Sequence, residues 1–393
     1  MKYENEEERN VLLEQFVKQP LNFKFVSVDE LQNDTEFILN VVEKNGLALQ
    51  YLDHKFQNNN RDIVLAAITQ NGMAFDYTSP ELKSDRDIVL AAIDKIPILI
   101  INTSHDFQNN NSDIVLNAVT QNGESLRYLS SELQNNGEIV LAAVTQNGMI
   151  LRYASSDLQN DREIVMAAIT KNGDSLQYAS PELKNDREIV LAAVTDYGRA
   201  LEYVSQELQN DREIVLAAVN SNGMALEYAS FELRGNHEIV MAAVTEDGWA
   251  LQYALYEFRN NREIVLAAVN NFVPSLQFAS PELQNNREIV LSAINNSATA
   301  LQYASFDLQN DRNFILDAVT QDGFILQYVL ENFKNDREIV LAAINRDGRA
   351  LEYVDENLFN SWNNKKTYLL LIDMSNNDYI LSNNIIKSIT RFL

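Results

Sequence analysis

The chain has 393 residues, 46% of them hydrophobic, with 31 Lys and Arg against 56 Asp and Glu, a formal net charge of -25 and no cysteine. The lack of cysteine excludes a disulfide framework, a cysteine-based zinc site and thiol catalysis, and the acidity argues against nucleic acid, whose phosphates are bound by clustered Lys and Arg. Because the first residues lack the apolar core of a signal peptide and no apolar run approaches the roughly 18 residues of a membrane span, the sequence predicts a soluble cytoplasmic protein.

The chain begins with a degenerate unit at residues 1–33. Pro20 stands where later units have glycine, and an acidic segment at residues 4–8 precedes it. The terminal unit of a repeat array needs a polar outer face. Residues 1–33 are therefore predicted to form an N-terminal cap.

Residues 34–359 are predicted to form an array of helical repeats. Sequences similar to R-E-I-V-L-A-A-V recur every 25 residues, or every 26 where a residue is inserted. The first β-branched or aromatic residue of each copy serves as its anchor: Phe37, Ile63, Ile88, Ile114, Ile139, Ile164, Ile189, Ile214, Ile239, Ile264, Ile289, Phe314 and Ile339. Val11 is a weaker first anchor, and numbering from it gives about fourteen repeats. Self-similarity at a fixed period is typical of a solenoid, in which each unit buries its apolar face on its neighbours.

The copy at residues 185–209 shows how one repeat is predicted to fold. Asn185 and Glu188 have the spacing of a capping box, which predicts a first helix that runs to about Thr195. Gly198 occupies a column that holds ten of the twelve glycines, and we expect it to end that helix in the left-handed conformation.

A second, shorter helix and a final turn complete the predicted repeat. Ser-Pro-Glu-Leu, as at residues 180–183, predicts a serine cap with proline at the first helical position. No segment shows the sustained alternation of strands. The predicted fold class is therefore an all-α solenoid, with each repeat a pair of short helices plus a capping turn.

One tyrosine column runs through the second helices and holds eleven of the sixteen tyrosines. We expect each ring to pack between repeats and each hydroxyl to bond a neighbouring backbone group. The regular pattern ends near residue 359, and the apolar segments of residues 360–393 are predicted to close the stack as a C-terminal cap.

The unit R-E-I-V-L-A-A-V, followed by N-G-x-A-L-x-Y-A-S-x-E-L-x-N-D, resembles a bacterial repeat catalogued as a domain of unknown function. Members of that family include secreted effectors of intracellular pathogens. The resemblance covers about nine-tenths of the chain. It implies a helical array, an effector-type biology, and delivery into a host cell by a route without a cleaved N-terminal signal. It implies no catalytic residue.

The sequence contains little that points to chemistry. Its three histidines are dispersed: His54 and His105 share a column two repeats apart, roughly 20 Å, which is too far to share a metal, and His237 replaces an arginine before a helix. Paired carboxylates such as Asp186 and Glu188 recur in unit after unit, whereas an active site is normally unique, and no phosphate-binding or nucleophile motif is present. The sequence predicts no metal, no cofactor and no enzymatic activity.

Two variable columns, ten and seventeen residues after the anchor, become large and apolar together in repeats nine to twelve. They contain the candidate partner-binding residues Met224, Phe231, Trp249, Tyr256 and Phe306. Aromatic residues and methionine are enriched in interface hot spots. The alternative is that these side chains pack locally across each helix pair.

We interpret the protein as a non-enzymatic scaffold that binds another protein, either as a bacterial effector or as a regulator of another effector. Two alternatives remain: an enzyme whose site is improvised on the solenoid, and a passive spacer or assembly subunit. Most of the negative charge falls at helix starts, where acids stabilise the helix dipole, but the net charge also favours a partner with a basic surface.

Overall fold

The computed structural model describes residues 6–25 and 34–354, and within them the secondary structure is helical throughout, without a strand. The predicted all-α repeat solenoid is therefore confirmed. The chain divides into two compact units, residues 1–196 and residues 197–393. The predicted C-terminal cap at residues 360–393 lies outside the described residues, as do residues 1–5 and 26–33 of the predicted N-terminal cap. None of the described helices combines the length and apolarity needed to cross a bilayer.

Each repeat starts with an α-helix, which we call its first helix. In the first unit these are Glu6–Lys18, Thr35–Lys44, Arg61–Gln70, Arg86–Lys95, Ser112–Gln121, Gly137–Gln146, Arg162–Lys171 and Arg187–Asp196. In the second unit they are Arg212–Ser221, His237–Glu246, Arg262–Asn271, Arg287–Asn296, Arg312–Gln321 and Arg337–Arg346.

A short 3-10 helix follows, which we call the second helix. In the first unit these are Pro20–Phe25, Gly46–Tyr51, Gly72–Tyr77, Pro97–Asn102, Gly123–Tyr128, Gly148–Tyr153 and Gly173–Tyr178. In the second unit they are Gly198–Tyr203, Gly223–Tyr228, Gly248–Tyr253, Val273–Phe278, Ala298–Tyr303, Gly323–Gln327 and Gly348–Tyr353.

The repeat ends in a terminal turn that contains a third helical piece. In the first unit these pieces are His54–Asn59, Leu82–Ser84, His105–Asn110, Leu133–Asn135, Leu158–Asn160 and Leu183–Asn185. In the second unit they are Leu208–Asn210, Leu233–Gly235, Tyr256–Arg259, Pro281–Gln284, Phe306–Asn310 and Glu331–Lys334.

The core of each unit lies between the first and second helices of neighbouring repeats. In repeat nine six side chains have no solvent exposure: Ile214, Val215, Ala218, Val219, Ala225 and Leu226. Burial of each large aliphatic side chain contributes about 1.5–3 kcal/mol. A 25-residue repeat supplies too few such residues to fold alone, so its stability depends on its neighbours.

The first helix of repeat eight starts one residue later than the capping box predicts. Asp186 Oδ1, not the side chain of Asn185, accepts from the backbone N–H groups of Glu188 and Ile189, at 3.0 and 3.1 Å. The cap is displaced because the first helical residue is Arg187. The aspartate therefore satisfies the donors that the helix start leaves without partners.

The glycine column has a different physical reason from the predicted one. Gly198 does not take the left-handed conformation; it is the first residue of the second helix. A Cβ atom at Gly198 would collide with the carbonyl oxygen of Ala218 in the next repeat and lie 2.9 Å from the backbone nitrogen of Asn222. Glycine is needed there because two backbones approach each other closely.

The residue before the glycine joins the two helices. In repeat nine the N–H of Asn222 donates to the carbonyl oxygen of Ala218 at 2.9 Å, which closes the first helix. Asn222 Oδ1 accepts from the N–H of Met224, also at 2.9 Å, which caps the second helix. The Asn-Gly pair therefore ends the first helix and begins the second.

The terminal turn follows the predicted serine cap. Ser280 Oγ accepts from the N–H of Leu283 at 3.2 Å, and Pro281 is the first residue of the helical piece. The N–H of Ser280 donates to the carbonyl oxygen of Arg259 in the preceding repeat at 2.8 Å. Neighbouring turns are therefore fixed side by side.

Candidate functional site

At the starts of the first helices, charged side chains are paired between neighbouring repeats. Arg61 Nε lies 2.8 Å from Asp85 Oδ2, and the same guanidinium also contacts Asp87. The same pairing joins Arg86 to Asp113, Arg162 to Asp186 and Glu188, Arg212 to Glu238, Arg262 to Glu288, Arg287 to Asp311, and Arg312 to Asp336 and Glu338. We call this surface the paired edge.

The paired edge accounts for many of the carboxylates at the starts of the first helices. The pKa of Asp85 lies below its ordinary value chiefly because the Arg61 side chain donates to it, with further hydrogen bonds from the N–H groups of Ile88 and Asp87. These carboxylates hold helix starts and neighbouring repeats together. They are engaged in ion pairs and hydrogen bonds within the chain.

At the terminal turns of the second unit, by contrast, aromatic side chains extend into solvent. The residue after the capping position is Phe231 in repeat nine, Tyr256 in repeat ten and Phe306 in repeat twelve, with exposures of 70%, 51% and 75%. Pro281 holds this position in repeat eleven and is also exposed. We call these four residues the turn ridge.

A row of carboxylates runs beside the turn ridge. Each ridge residue is followed by an exposed acid: Glu232, Glu257, Glu282 and Asp307. The Tyr256 hydroxyl donates to Glu282 Oε2 at 2.9 Å. This bond raises the pKa of Tyr256, whereas the pKa of Glu282 is lowered by its own backbone N–H and by the hydroxyls of Tyr256 and Ser280.

The other two predicted partner-binding residues lie in the second helices. Met224 is half-buried. Trp249 is 38% exposed and contacts two rings of the next repeat, with centroids 5.5 Å away for Phe272 and 5.3 Å for Phe278. We call Trp249, Phe272 and Phe278 the indole patch.

The five predicted residues thus divide between two elements of the repeat. Phe231, Tyr256 and Phe306 belong to the terminal turns, and Met224 and Trp249 belong to the second helices. The sequence reading missed Phe272 and Phe278. The signal was present, because Phe272 stands where most repeats have Asn or Asp, and Phe278 stands in the tyrosine column.

The tyrosine column differs from its prediction. Its described members are half-buried or exposed, as Tyr128 is at 46%, rather than enclosed between repeats. Two hydroxyls of the column bond to arginine side chains: Arg199 Nη2 donates to Tyr228 at 2.9 Å, and Arg152 donates to Tyr153. The rings lie at the edge of the core, where long polar side chains can reach them.

The three histidines are dispersed along the chain. His54 and His105 begin helical pieces of terminal turns in the first unit, and His237 Nε2 takes an arginine's place on the paired edge, 3.7 Å from Glu263 Oε2. In the described part of the chain, no three His, Asp or Glu side chains are grouped so that they could hold a metal ion.

Two open hollows accompany the first helices. One, of about 500 Å³, lies between the first helices of repeats two and three and is lined by Leu39, Leu65 and Ala66 with polar neighbours. The other, of about 370 Å³, lies where helices of repeats twelve to fourteen end. Neither contains a residue of the turn ridge or the indole patch.

Comparisons with known proteins agree with the repeat pattern. A family described as a domain of unknown function, DUF4116, matches residues 12–57, 60–108, 111–159, 136–184, 161–209, 186–234, 236–284, 261–309 and 311–359. No curated protein matches the chain. Because the family matches extend over most of the sequence, the chain belongs to the DUF4116 family of repeat proteins.

Proposed function

We propose that the protein is a non-enzymatic scaffold that binds another protein through the turn ridge of repeats nine to twelve. The observation that carries this proposal is the exposure of Phe231, Tyr256 and Phe306, at 70%, 51% and 75%, at one position of the terminal turns of repeats nine, ten and twelve. Most large apolar side chains of a folded protein are at least partly covered. Three such rings in one row supply the kind of residue that dominates binding energy at interfaces.

The scaffold itself does not require aromatic residues at this position. Repeats five and six have Ser131 and Ser156 there, and their turns are capped by a serine hydroxyl, as are the turns of Phe231 and Phe306. A position that folds equally well with serine is free to be used for recognition. A passive spacer would have no need of exposed rings.

The family resemblance adds a cellular location and a biological role to this proposal. We place the protein in the cytoplasm as a folded chain, acting as a bacterial effector or as a regulator of one. The carboxylates beside the turn ridge favour a partner with a basic surface, because complementary charge speeds association and excludes acidic competitors.

The test compares captured proteins from host and bacterial lysates by quantitative mass spectrometry. The baits are the wild-type chain, the triple variant Phe231→Ser, Tyr256→Ser, Phe306→Ser, and a control with Ser131→Phe and Ser156→Tyr. The proposal predicts a partner that the wild type and the control retain and the triple variant loses. Equal capture by wild type and triple variant would remove the turn ridge from the function, and stronger capture by the control would show only nonspecific adhesion to aromatic rings.

A further inference from the structure

We infer that the turn ridge binds a basic segment in the polyproline II conformation, which lies along the ridge with three residues for each repeat. This inference rests on the proposed function and identifies the chemistry of the partner. It follows from three properties of the ridge: its spacing, its protruding rings and its carboxylates.

The spacing is set by hydrogen bonds between consecutive turns. The N–H of Leu255 donates to the carbonyl oxygen of Arg234 at 3.3 Å, and the N–H of Ser305 donates to that of Gln284 at 2.9 Å. Each donor immediately precedes a ridge residue, so the distance between successive ridge residues follows the distance between neighbouring repeats. Packed helices lie about 8–10 Å apart, and we take this distance between neighbouring repeats as the spacing of the ridge.

A polyproline II helix has the same period. It has three residues per turn and rises 3.1 Å per residue, so it returns a side chain to the same face about every 9 Å. In a β-strand successive side chains alternate between the two faces, so side chains three residues apart point to opposite faces. An α-helix presents a side chain to one face about every 5.4 Å, so alternate contacts would fall between ridge residues.

The chemistry of the rings fits such a ligand. Phe231 and Phe306 protrude with most of their surface exposed, which leaves the spaces beside the rings open to a prolyl ring. Proline-rich segments dock on aromatic surfaces because they are already extended and lose little conformational entropy. Strand addition is disfavoured, because the described part of the chain has no strand edge to extend.

The acids determine the charge of the ligand. Glu257 and Glu282 each follow a ridge residue and are exposed, so carboxylates recur with the same period as the rings. Arg259 lies close to the ridge, with its guanidinium carbon 5.8 Å from the Tyr256 ring centroid, but the arginine pairs of the scaffold are at the paired edge. A ligand with Lys or Arg at every third residue would match this row.

The probe is the acetylated and amidated peptide (Pro-Pro-Lys)₄, which spans about 37 Å when extended as polyproline II. Its affinity for the full chain is measured by fluorescence polarisation at several salt concentrations. The comparison peptides are (Gly-Ser-Lys)₄, which has the same charges without the conformation, (Pro-Pro-Glu)₄, and a helical peptide with four lysines.

We expect (Pro-Pro-Lys)₄ to bind more tightly than each comparison peptide. Replacing Phe231, Tyr256 and Phe306 by serine should weaken binding at least about tenfold. The variant Glu257→Gln, Glu282→Gln, Asp307→Asn should weaken binding severalfold and reduce its salt dependence. Serine at Tyr77 and Tyr128, which are exposed in the first unit, is the matched control and should leave affinity unchanged.

Tighter binding of the glycine-serine peptide or of the helical peptide would overturn the inference. So would binding of (Pro-Pro-Lys)₄ that is insensitive to the ridge substitutions in variants whose circular dichroism and melting match the wild type. If the peptide fails but a lysate partner still depends on the ridge, this inference alone is wrong. If both fail, the proposed function fails too.

Discussion

The terminal turns of repeats six and nine share one backbone arrangement and differ in the residue that follows the serine cap. In both regions the residue at the start of the turn donates its N–H to the preceding repeat, from Ser155 to Gln134 at 3.0 Å and from Ser230 to Gln209 at 3.0 Å. The next residue is Ser156 in the first case and Phe231 in the second. The fold of the terminal turn therefore does not require an aromatic residue at this position.

The comparison holds only if the two regions share one scaffold, and the test of this point has the largest expected effect on stability. Leu151 and Leu226 are the same core residue of repeats six and nine, and both have no solvent exposure. Leu151→Ala and Leu226→Ala should each cost about 2–5 kcal/mol, because each removes buried methyl groups and leaves a cavity. Urea unfolding measures the cost. Tolerance of one substitution but not the other would mean that the regions are built differently.

A second test concerns the close approach of backbones at the glycine column. A Cβ at Gly123 would lie 2.7 Å from the carbonyl oxygen of Ala143, whereas a Cβ at Gly137 would meet nothing closer than Ile164 Cδ1 at 4.0 Å. Gly123→Ala should destabilise by about 1–3 kcal/mol through steric overlap. Gly137→Ala, at the start of a first helix, is the matched control and should be neutral or slightly stabilising. Equal melting temperatures for the two variants would refute the steric account.

The predicted binding residues should also differ from one another. Trp249→Ala breaks two ring contacts, each worth about 0.5–1.5 kcal/mol, and should lower stability measurably. Tyr256→Ala removes a ring that is 51% exposed and should change stability by no more than about 0.5 kcal/mol. Thermal melting of the two single variants distinguishes them. A larger loss for Tyr256→Ala would show that the turn ridge has a structural role.

These contrasts show which features could be predicted from the sequence. Helix starts, the serine cap and the all-α class depend on residues within about four positions of each other, so the repeat reveals them directly. The cap at Asp186 was misplaced by one residue because Asn185 and Asp186 are both good caps, and only the helix start decides between them.

Contacts between repeats were harder to predict, because a period does not specify which atoms of two units meet. The role of Gly198 depends on the carbonyl oxygen of Ala218, and the exposure of Trp249 depends on Phe272 and Phe278. The variable columns identified the candidate residues as atypical. They did not show that Trp249 packs against two rings of the next repeat whereas Tyr256 is exposed at a terminal turn.

The smallest expected effect concerns pH and the paired edge. Because the pKa of Asp85 is lowered in the folded protein, its ion pair with Arg61 contributes stability at neutral pH that is lost as pH falls below about 4. Asp85→Asn keeps an N-cap acceptor, as in repeats that have asparagine there, but cannot titrate. Its melting temperature should fall less steeply on acidification than that of the wild type. An identical pH profile would mean that the pair contributes nothing to acid sensitivity.

The central claim is that the turn ridge serves binding and not folding. The most direct measurement determines partner retention and the urea midpoint on the same preparations of the wild type and of the triple variant Phe231→Ser, Tyr256→Ser, Phe306→Ser. The account predicts that retention is lost while the free energy of unfolding derived from the midpoint falls by no more than about 0.5 kcal/mol for each residue, the range of ordinary surface substitutions. Unchanged retention, or a midpoint that falls as far as that of Leu226→Ala, would contradict it.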